Sequence, residues 1–514
     1  MNERKLKIVL LAAIFLIPMV HVTSHAPCSG AILPREGFDG DGAIPIMDQF
    51  CISHGNSRDP RLADFVEGFG CKINRNNIMW YEAEKENGHN NYTWDYYDNL
   101  YSNDSARGIE SLGLFVFGRD GWPDSNYVSP GEWDDWEMFV TAFVNRYKEN
   151  LTYYEMWNEP DIGFWSGTDE EFFVFLNKTT RLVRSLDNDC IIVSPGVSGP
   201  NVEYMEKMVN FFGDEQFNEL FDIMAFHAYP NRNGEHLSYR ISQVQDMARR
   251  HGFDGPFWIT EVGFTTSVDT EEQLENYLDE LMDYQATQVL KHYCQCIDAN
   301  LSSVFWYDLT DWCGNPYYGE EWFGLITCDF WDSANARWEY KYKPAGHAYK
   351  RMNELLQDGT YYPGGELVKA PNPSEIWSYY FLTHDGKVIL VAWSRGTASQ
   401  AKVYLHAPPG HPKPEFDLRD YWYAGYRSDY HENLTSHSFP IGNRPVLLEI
   451  DYSDYMNAEG LSLVPLTLVL DVSHDPLSIA FMVGIPSLVA ISLLHAINQS
   501  RPSLGKKQRR VQPS

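Results

Sequence analysis

From about residue 40 to 358, short apolar runs of strand length alternate with stretches of helical periodicity, and this alternation constrains the fold more than any other feature. Strands are expected at 46–52, from about 71, and at 112–117, 153–157, 190–193, 221–226, 257–259 and 304–309. The run Leu112-Gly113-Leu114-Phe115-Val116-Phe117 is apolar throughout, as a strand buried on both faces requires. Helices are expected between these strands. Ser129-Pro130-Gly131-Glu132 reads as a capping box that opens a helix ending near Tyr147, and Thr168 with Glu171 caps the next one. Further helices are expected at 202–212, 237–250, 270–294 and 344–356. Repeated βα units imply parallel strands joined by right-handed crossovers, and eight units of this size predict a (β/α)₈ TIM barrel over 40–358. A doubly wound open sheet is the alternative, but no glycine-rich phosphate loop follows the first strand.

Beyond the barrel the pattern changes. Residues 359–452 place alternating runs (377–382, 388–393, 401–405, 446–450) between turns rich in Pro, Gly, Asn and Asp, which predicts a small all-β sandwich domain. Residues 453–475 read as a spacer. Residues 477–497 lack Asp, Glu, Lys and Arg over the roughly 20 residues a transmembrane helix needs, and a basic tail follows at 498–514. At the other end, Arg4, Lys5 and Lys7 precede an apolar run, so residues 1–26 read as a signal peptide, with an uncleaved anchor as the alternative. These signals predict a cell-surface, single-pass membrane protein with its folded domains outside. Sequons at Asn91, Asn103, Asn150, Asn177, Asn300 and Asn433 fit a glycoprotein, and the eight cysteines allow disulfides, with Cys313–Cys328 the favoured pair. The net charge of −31 argues against nucleic acid as a partner, because a phosphate backbone needs a basic face.

Two carboxylates carry the chemistry. Retaining cleavage of a glycosidic bond needs two carboxyl groups about 5–5.5 Å apart, one to attack the anomeric carbon and one to protonate the leaving oxygen. In a barrel both belong at the C-terminal strand ends. Tyr153 to Pro160 ends a strand on Asn158 and Glu159, with Pro160 disfavouring helical geometry at Glu159. Trp258-Ile259-Thr260-Glu261 ends another apolar strand on a carboxylate. No cofactor or metal is called for, since two carboxylates suffice. The partner expected of such a pair is an oligo- or polysaccharide or glycoconjugate, and the aromatic content (16 Trp, 32 Tyr, 28 Phe) fits either sugar platforms or large aromatic cores.

Trp157-Asn158-Glu159-Pro160 resembles the strand-four signature of the clan A glycoside hydrolases, whose strand seven also ends on a Glu, here Glu261. Arg75 followed by Trp80, Glu82, Gly88 and Trp94 resembles the strand-two region of glycoside hydrolase family 39. Phe226-His227-Ala228-Tyr229-Pro230 resembles its strand-six motif. Phe305-Trp306-Tyr307, Phe323-Gly324-Leu325 and Lys343-Pro344-Ala345 resemble its ending. The resemblance spans about 45–356. It implies Glu159 as acid/base and Glu261 as nucleophile, and it implies a substrate among β-xylosides, iduronides and exopolysaccharides.

The supporting roles follow. Asn158 is expected to donate to the sugar 2-hydroxyl, Arg75 to favour the charge of Glu261, Tyr229 to hydrogen-bond the nucleophile, and Trp306 to stack on the sugar. His227 stands between a site residue and a satisfied core histidine. Arg75 has an alternative as a fold-holding arginine, and Trp306 one as barrel packing. For the whole chain the alternative to an enzyme is a catalytically inactive carbohydrate-binding surface protein.

Overall fold

The computed structural model describes residues 44–474 apart from 47–48, 85–88, 121–125, 230–236, 313, 333–336, 362–367, 370–375, 396–397, 407–414, 423–426 and 452–466. Eight parallel strands follow one another between residues 50 and 307: β1 (Phe50–Ser53), β2 (Ile73–Met79), β3 (Glu110–Val116), β4 (Leu151–Met156), β5 (Ile191–Val193), β6 (Met224–His227), β7 (Phe257–Val262) and β8 (Ser303–Tyr307). The ladder runs β5-β4-β3-β2-β1-β8-β7-β6. Parallel bridges Val193↔Ile223 and Val197↔Phe226 join β5 to β6, so the sheet closes on itself. Closure excludes the open doubly wound sheet.

Alternation along the strands builds the interior. Cys51, Ile73, Leu112, Val193, Ala225, Trp258 and Phe305 form one apolar cluster inside the barrel, with Tyr153 packed on it. Successive strand residues face opposite sides, so the residues two positions further along also face inward. These are Ser53, Arg75, Glu155, His227, Thr260 and Tyr307. An apolar floor therefore lies beneath a polar layer at the C-terminal end.

The helices cover the outside. Trp133–Tyr147 buries Trp136, Phe139, Val140, Phe143, Val144 and Tyr147 along one stripe. Asp169–Leu186 starts on a complete capping box, in which Glu171 N–H donates to Thr168 Oγ1 at 3.2 Å and Thr168 N–H to Glu171 Oε2 at 2.8 Å. The single helix expected from Thr270 is two, Glu271–Asn276 and Leu278–Asp298, separated at Tyr277.

A β-sandwich follows the closing helix Pro344–Leu356. Its strands are β9 (Ile376–Leu382), β10 (Val388–Ser394), β11 (Ala398–His406), β12 (Phe416–Trp422), β13 (Arg427–Leu434), β14 (His437–Pro440), β15 (Val446–Asp451) and β16 (Thr467–His474). One sheet holds β9-β10-β15-β12-β13, extended by Thr360–Tyr361 and by Ile44–Pro45 from ahead of the barrel. The other holds β11 between β16 and β14, with Val368–Lys369 beyond β16. Two expectations change here. Residues 44–45, within the bounds expected for the barrel domain, pair into the sandwich sheet, and β16 lies inside the stretch read as a spacer.

The larger sheet is buried on both faces. Tyr380, Leu390 and Ala392 pack with Ala401, Val403 and Phe439 of the other sheet, while Tyr379, Phe381, Val391 and Trp393 join the barrel's core cluster. Tyr361 Oη donates to Asp298 Oδ1 at 2.6 Å, and Lys291 Nζ donates to Asn443 Oδ1 at 2.8 Å. Among the described residues no helix is long and apolar enough to cross a membrane. The segments read as signal peptide (1–26) and transmembrane helix (477–497) lie outside those residues, as do the Cys313 and Cys328 side chains. Cys71, Cys190, Cys294 and Cys296 are buried free thiols, so the expected disulfides find no support in the described part.

Trp393 is 2% exposed against the barrel. Trp393→Ala is expected to cost about 3–5 kcal/mol by leaving a cavity between the domains. Denaturation of the full chain checks this, and an unchanged midpoint would mean that the contact carries no stability.

Candidate active site

The polar layer of the barrel is organised around Arg75, which has no solvent exposure. Its Nε donates to Glu155 Oε2 at 2.5 Å and its Nη2 to Glu155 Oε1 at 3.2 Å. Nη1 donates to Glu261 Oε1 at 2.7 Å and to Ser53 Oγ at 3.2 Å, and Nη2 reaches Asn158 Oδ1 at 2.9 Å. Burial alone disfavours the guanidinium charge, but Glu155 and Glu261 more than offset this and keep it ionised. One side chain thus connects β2, β4, β7 and the segment after β4.

Thr260 and Glu261 are neighbours in sequence, yet both point into the barrel. Thr260 Oγ1 donates to Glu155 Oε1 at 3.0 Å while Glu261 takes Arg75. A regular strand forbids this. In the ladder β7 advances from Ile259 to Glu261 while β6 advances only from Phe226 to His227, and a matching slip occurs against β8. The extra residue is a β-bulge, the device that re-aims a side chain beside a site.

Glu159 sits just past β4 on a backbone of positive φ, +38° at Glu159 and +80° at Trp157. Non-glycine residues persist there only when their surroundings hold them. Here Glu159 N–H donates to Gly196 O at 2.8 Å, Trp157 N–H to Phe115 O at 2.9 Å, and the Trp157 indole to Phe164 O at 2.6 Å. Gly196 must be glycine, because a Cβ there would lie 2.5 Å from His227 Nε2 and 2.8 Å from Glu155 Oε1.

The two carboxylates meet across His227. Its Nδ1 lies 2.7 Å from Glu159 Oε1 and 3.5 Å from Glu261 Oε2, and these three groups lie within 4.8 Å of one another. Tyr229 Oη donates to Glu261 Oε2 at 2.8 Å. Burial opposes ionisation of Glu261, but His227, Arg75, His54 and the Tyr229 hydroxyl together bring its pKa down to about 2. Burial disfavours a charged His227 too, and the neighbouring Glu261 and Glu159 outweigh it, raising His227 above its ordinary value. Both glutamates line a cleft of about 1440 Å³ at the C-terminal ends of the strands.

Residues 92–300 match the family profile described as a glycosyl hydrolase catalytic core. A β-xylosidase of Geobacillus stearothermophilus is 27% identical over 116 residues, 21% of this chain and 23% of that protein. A second, from Caldicellulosiruptor saccharolyticus, is 22% identical over 228 residues, 39% of this chain and 44% of that one. The matches thus span less than half of each curated relative. Among solved structures, a family 39 glycoside hydrolase from Bacteroides cellulosilyticus superposes with a TM-score of 0.59 at 17% identity, covering 79% of this chain and 81% of the other. A glucosidase from Croceicoccus marinus gives a TM-score of 0.56 at 11% identity, covering 79% and 96%.

Residues 92–300 thus carry a glycosyl hydrolase catalytic core, and the chain is similar to clan A glycoside hydrolases, family 39 among them.

Asn158, Glu159, Tyr229 and Glu261 line the cleft, while Arg75 and His227 are fully buried and touch it only through the glutamates and Asn158. Trp306 is a correction. It is fully buried and off the cleft, its indole donating to Phe323 O at 3.3 Å. Strand parity explains this. Phe305 and Tyr307 face inward, so Trp306 faces the helices, and Tyr307 lines the cleft instead. Sequence reasoning also missed Glu155, His54, Thr260 and Glu320. Glu155 had a signal, because a carboxylate inside a strand buried on both faces requires a partner. Glu320 lines the cleft from the short 3-10 turn Gly319–Glu321; its burial, then Glu261 and Glu159, raise its carboxyl above the ordinary value. Trp312 lines the cleft with 59% exposure.

Two tests follow from this geometry. Trp306→Ala is expected to cost about 3–5 kcal/mol of stability as a core deletion and to leave KM unchanged. A raised KM at unchanged stability would restore the stacking role. The folded pKa of Glu261, about 2, lies below its unfolded value of about 4.3. Its contribution is therefore complete above that unfolded value and is lost as pH falls toward 2. The thermal midpoint of the wild type relative to Glu261→Gln should fall between pH 5 and pH 3, and a constant difference would contradict the assignment.

Proposed function

We propose that the chain is a retaining glycoside hydrolase that cleaves O-glycosidic bonds by double displacement. The observation that carries this reading is the pairing of Glu159 and Glu261 across His227 within 4.8 Å at the C-terminal mouth of the barrel. Retaining enzymes hold their carboxyl groups about 5–5.5 Å apart, whereas inverting ones leave room for a water between them.

Glu261 is the nucleophile. Arg75 and Tyr229 each hold one of its oxygens and keep it ionised, so it attacks the anomeric carbon as the glycosidic C–O bond breaks. Glu159 passes its proton to the departing oxygen. Water then enters, Glu159 takes a proton from it, and the hydroxide displaces Glu261 with overall retention. His227 orients Glu159 through Nδ1. Arg75 occupies the Asn158 carbonyl oxygen, which leaves the amide NH₂ of Asn158 to donate to the sugar 2-hydroxyl.

The substrate we infer is a neutral oligo- or polysaccharide. The cleft, of about 1440 Å³, has room for several sugars, offers the exposed Trp312 as an aromatic face, and is lined by Asp269, Glu280 and Glu320 besides the two site glutamates, carboxylates that repel anionic sugars. Asn443 and Arg444 of the sandwich also line it. The charge pattern of both termini, the apolar stretch at 477–497 and the sequons support placement of the catalytic barrel outside the cell on a single membrane anchor.

Hydrolysis of aryl β-glycosides, β-xylosides first, tests the reading. Glu261→Ala should abolish turnover on every substrate. Glu159→Ala should still form the glycosyl-enzyme from substrates with good leaving groups, while unactivated glycosides lose about 10²–10⁴-fold. Equal losses on both substrate classes would contradict the role of Glu159. Binding without turnover in the wild type would move the chain to a carbohydrate-binding protein.

A further inference from the structure

Away from the barrel, three side chains with metal-ligand chemistry meet at one edge of the sandwich. Asp420 lies on β12, His431 on the edge strand β13, and His437 on β14 at the edge of the opposite sheet. One ligand atom from each lies within 4.8 Å of the others. His431 Nε2 is 3.6 Å from Asp420 Oδ1, and His437 Nε2 is 3.3 Å from Asp420 Oδ2. The two imidazole centroids are 4.7 Å apart.

Strand parity aims this trio inward. Phe416 and Leu418 precede Asp420 on the same face of β12 and belong to the sandwich core, as does Phe439 two residues after His437. His431 pairs across the ladder with Leu418. β13 is otherwise exposed, with only His431 and Leu434 half-buried.

The decisive feature is what these atoms lack. Asp420 Oδ1, His431 Nε2 and His437 Nε2 are all shielded from solvent, and among the described residues none makes a hydrogen bond of full geometry, the 3.3 Å approach of His437 Nε2 to Asp420 Oδ2 being an ion-pair contact. Asp420 itself is 6% exposed. Buried polar atoms without partners cost free energy, and native proteins rarely leave three together. The separations have a simple reading. Ligand bonds of about 2.0–2.1 Å in tetrahedral geometry place neighbouring ligand atoms about 3.3–3.4 Å apart, and each imidazole Nε2 stands at a similar distance, 3.6 and 3.3 Å, from one of the two oxygens of the Asp420 carboxylate.

We propose that Asp420, His431 and His437 form a binding site for one divalent transition ion of the zinc class, with solvent completing the coordination. Two imidazoles and a carboxylate suit zinc and its neighbours in the series, whereas magnesium and calcium favour all-oxygen sites. The ion clamps the edge where β13 turns into β14 and the chain passes from one sheet to the other. The site is independent of the barrel chemistry.

The test uses the full chain, stripped with chelator and titrated with Zn²⁺ alone. One tightly bound equivalent is expected, with Co²⁺ in its place giving the visible bands of a low-coordinate site. His431→Ala and Asp420→Asn should each weaken binding by more than about 100-fold, beyond what loss of an outer-shell partner causes. Glu159→Gln should leave it unchanged, which excludes the glutamate–histidine trio of the barrel as the site. His431 lies on an exposed strand, so the metal-free His431→Ala chain should keep the metal-free wild type's thermal midpoint and lose only the rise that Zn²⁺ produces. No bound zinc, zinc retained in both sandwich variants, or zinc lost with Glu159→Gln would each overturn the proposal.

Discussion

A guanidinium with no access to water sits between two carboxylates inside the barrel, and the geometry of the site depends on that triad of Glu155, Arg75 and Glu261. Removing such charges from water costs several kcal/mol per ion, and their attraction repays this only with good geometry and further hydrogen bonds. Every donor direction of Arg75 is used accordingly, on Glu155, Glu261, Ser53 and Asn158. The result is orientation. Glu261 is held by Arg75 on one oxygen and Tyr229 on the other, and Asn158 is turned by the same arginine. A carboxylate positioned this firmly, in the nucleophile role proposed for it, needs little reorganisation when charge moves in the transition state.

The barrel makes this arrangement possible by stacking layers. The floor of Ile73, Leu112, Trp258 and Phe305 excludes water from below, so the charges two residues above interact in a low-dielectric setting. Regular alternation supplies one inward side chain per two residues. The bulge in β7 breaks that economy at a single point and brings both Thr260 and Glu261 inside. Local strain appears just past β4, where positive φ at Trp157 and Glu159 turns the Glu159 carboxylate toward His227.

The sandwich is a structural participant rather than an appendage. Its larger sheet is buried on both faces, one against the barrel and one in its own core. The loop between β14 and β15 carries Asn443 and Arg444 to the cleft wall, so the second domain shapes what the barrel can admit. The edge of the same sandwich holds the Asp420, His431 and His437 cluster, where packing alone leaves buried ligand atoms unmet.

Much of this was legible in one dimension. The period of apolar residues marked the eight barrel strands and their helices. Asn158-Glu159-Pro160 and Thr260-Glu261 stood out because each ends an apolar strand on a carboxylate. Tyr229 and Arg75 entered only through resemblance to family 39. Trp306 was misassigned because Phe305-Trp306-Tyr307 presents three aromatics in a row, and only the register of β8 tells which faces in. β16 was taken for a spacer although Leu468, Leu470 and Val472 alternate, because its partner β11 lies far away in sequence. Local pattern and residue type, then, determined the elements and the two carboxylates, since period and strand-end position are properties of the chain itself. Register, the β7 bulge, the partners of Arg75 and the convergence of Asp420, His431 and His437 were decided in the tertiary structure. They depend on contacts between distant segments, which burial and ladder hydrogen bonds select and no local sequence encodes.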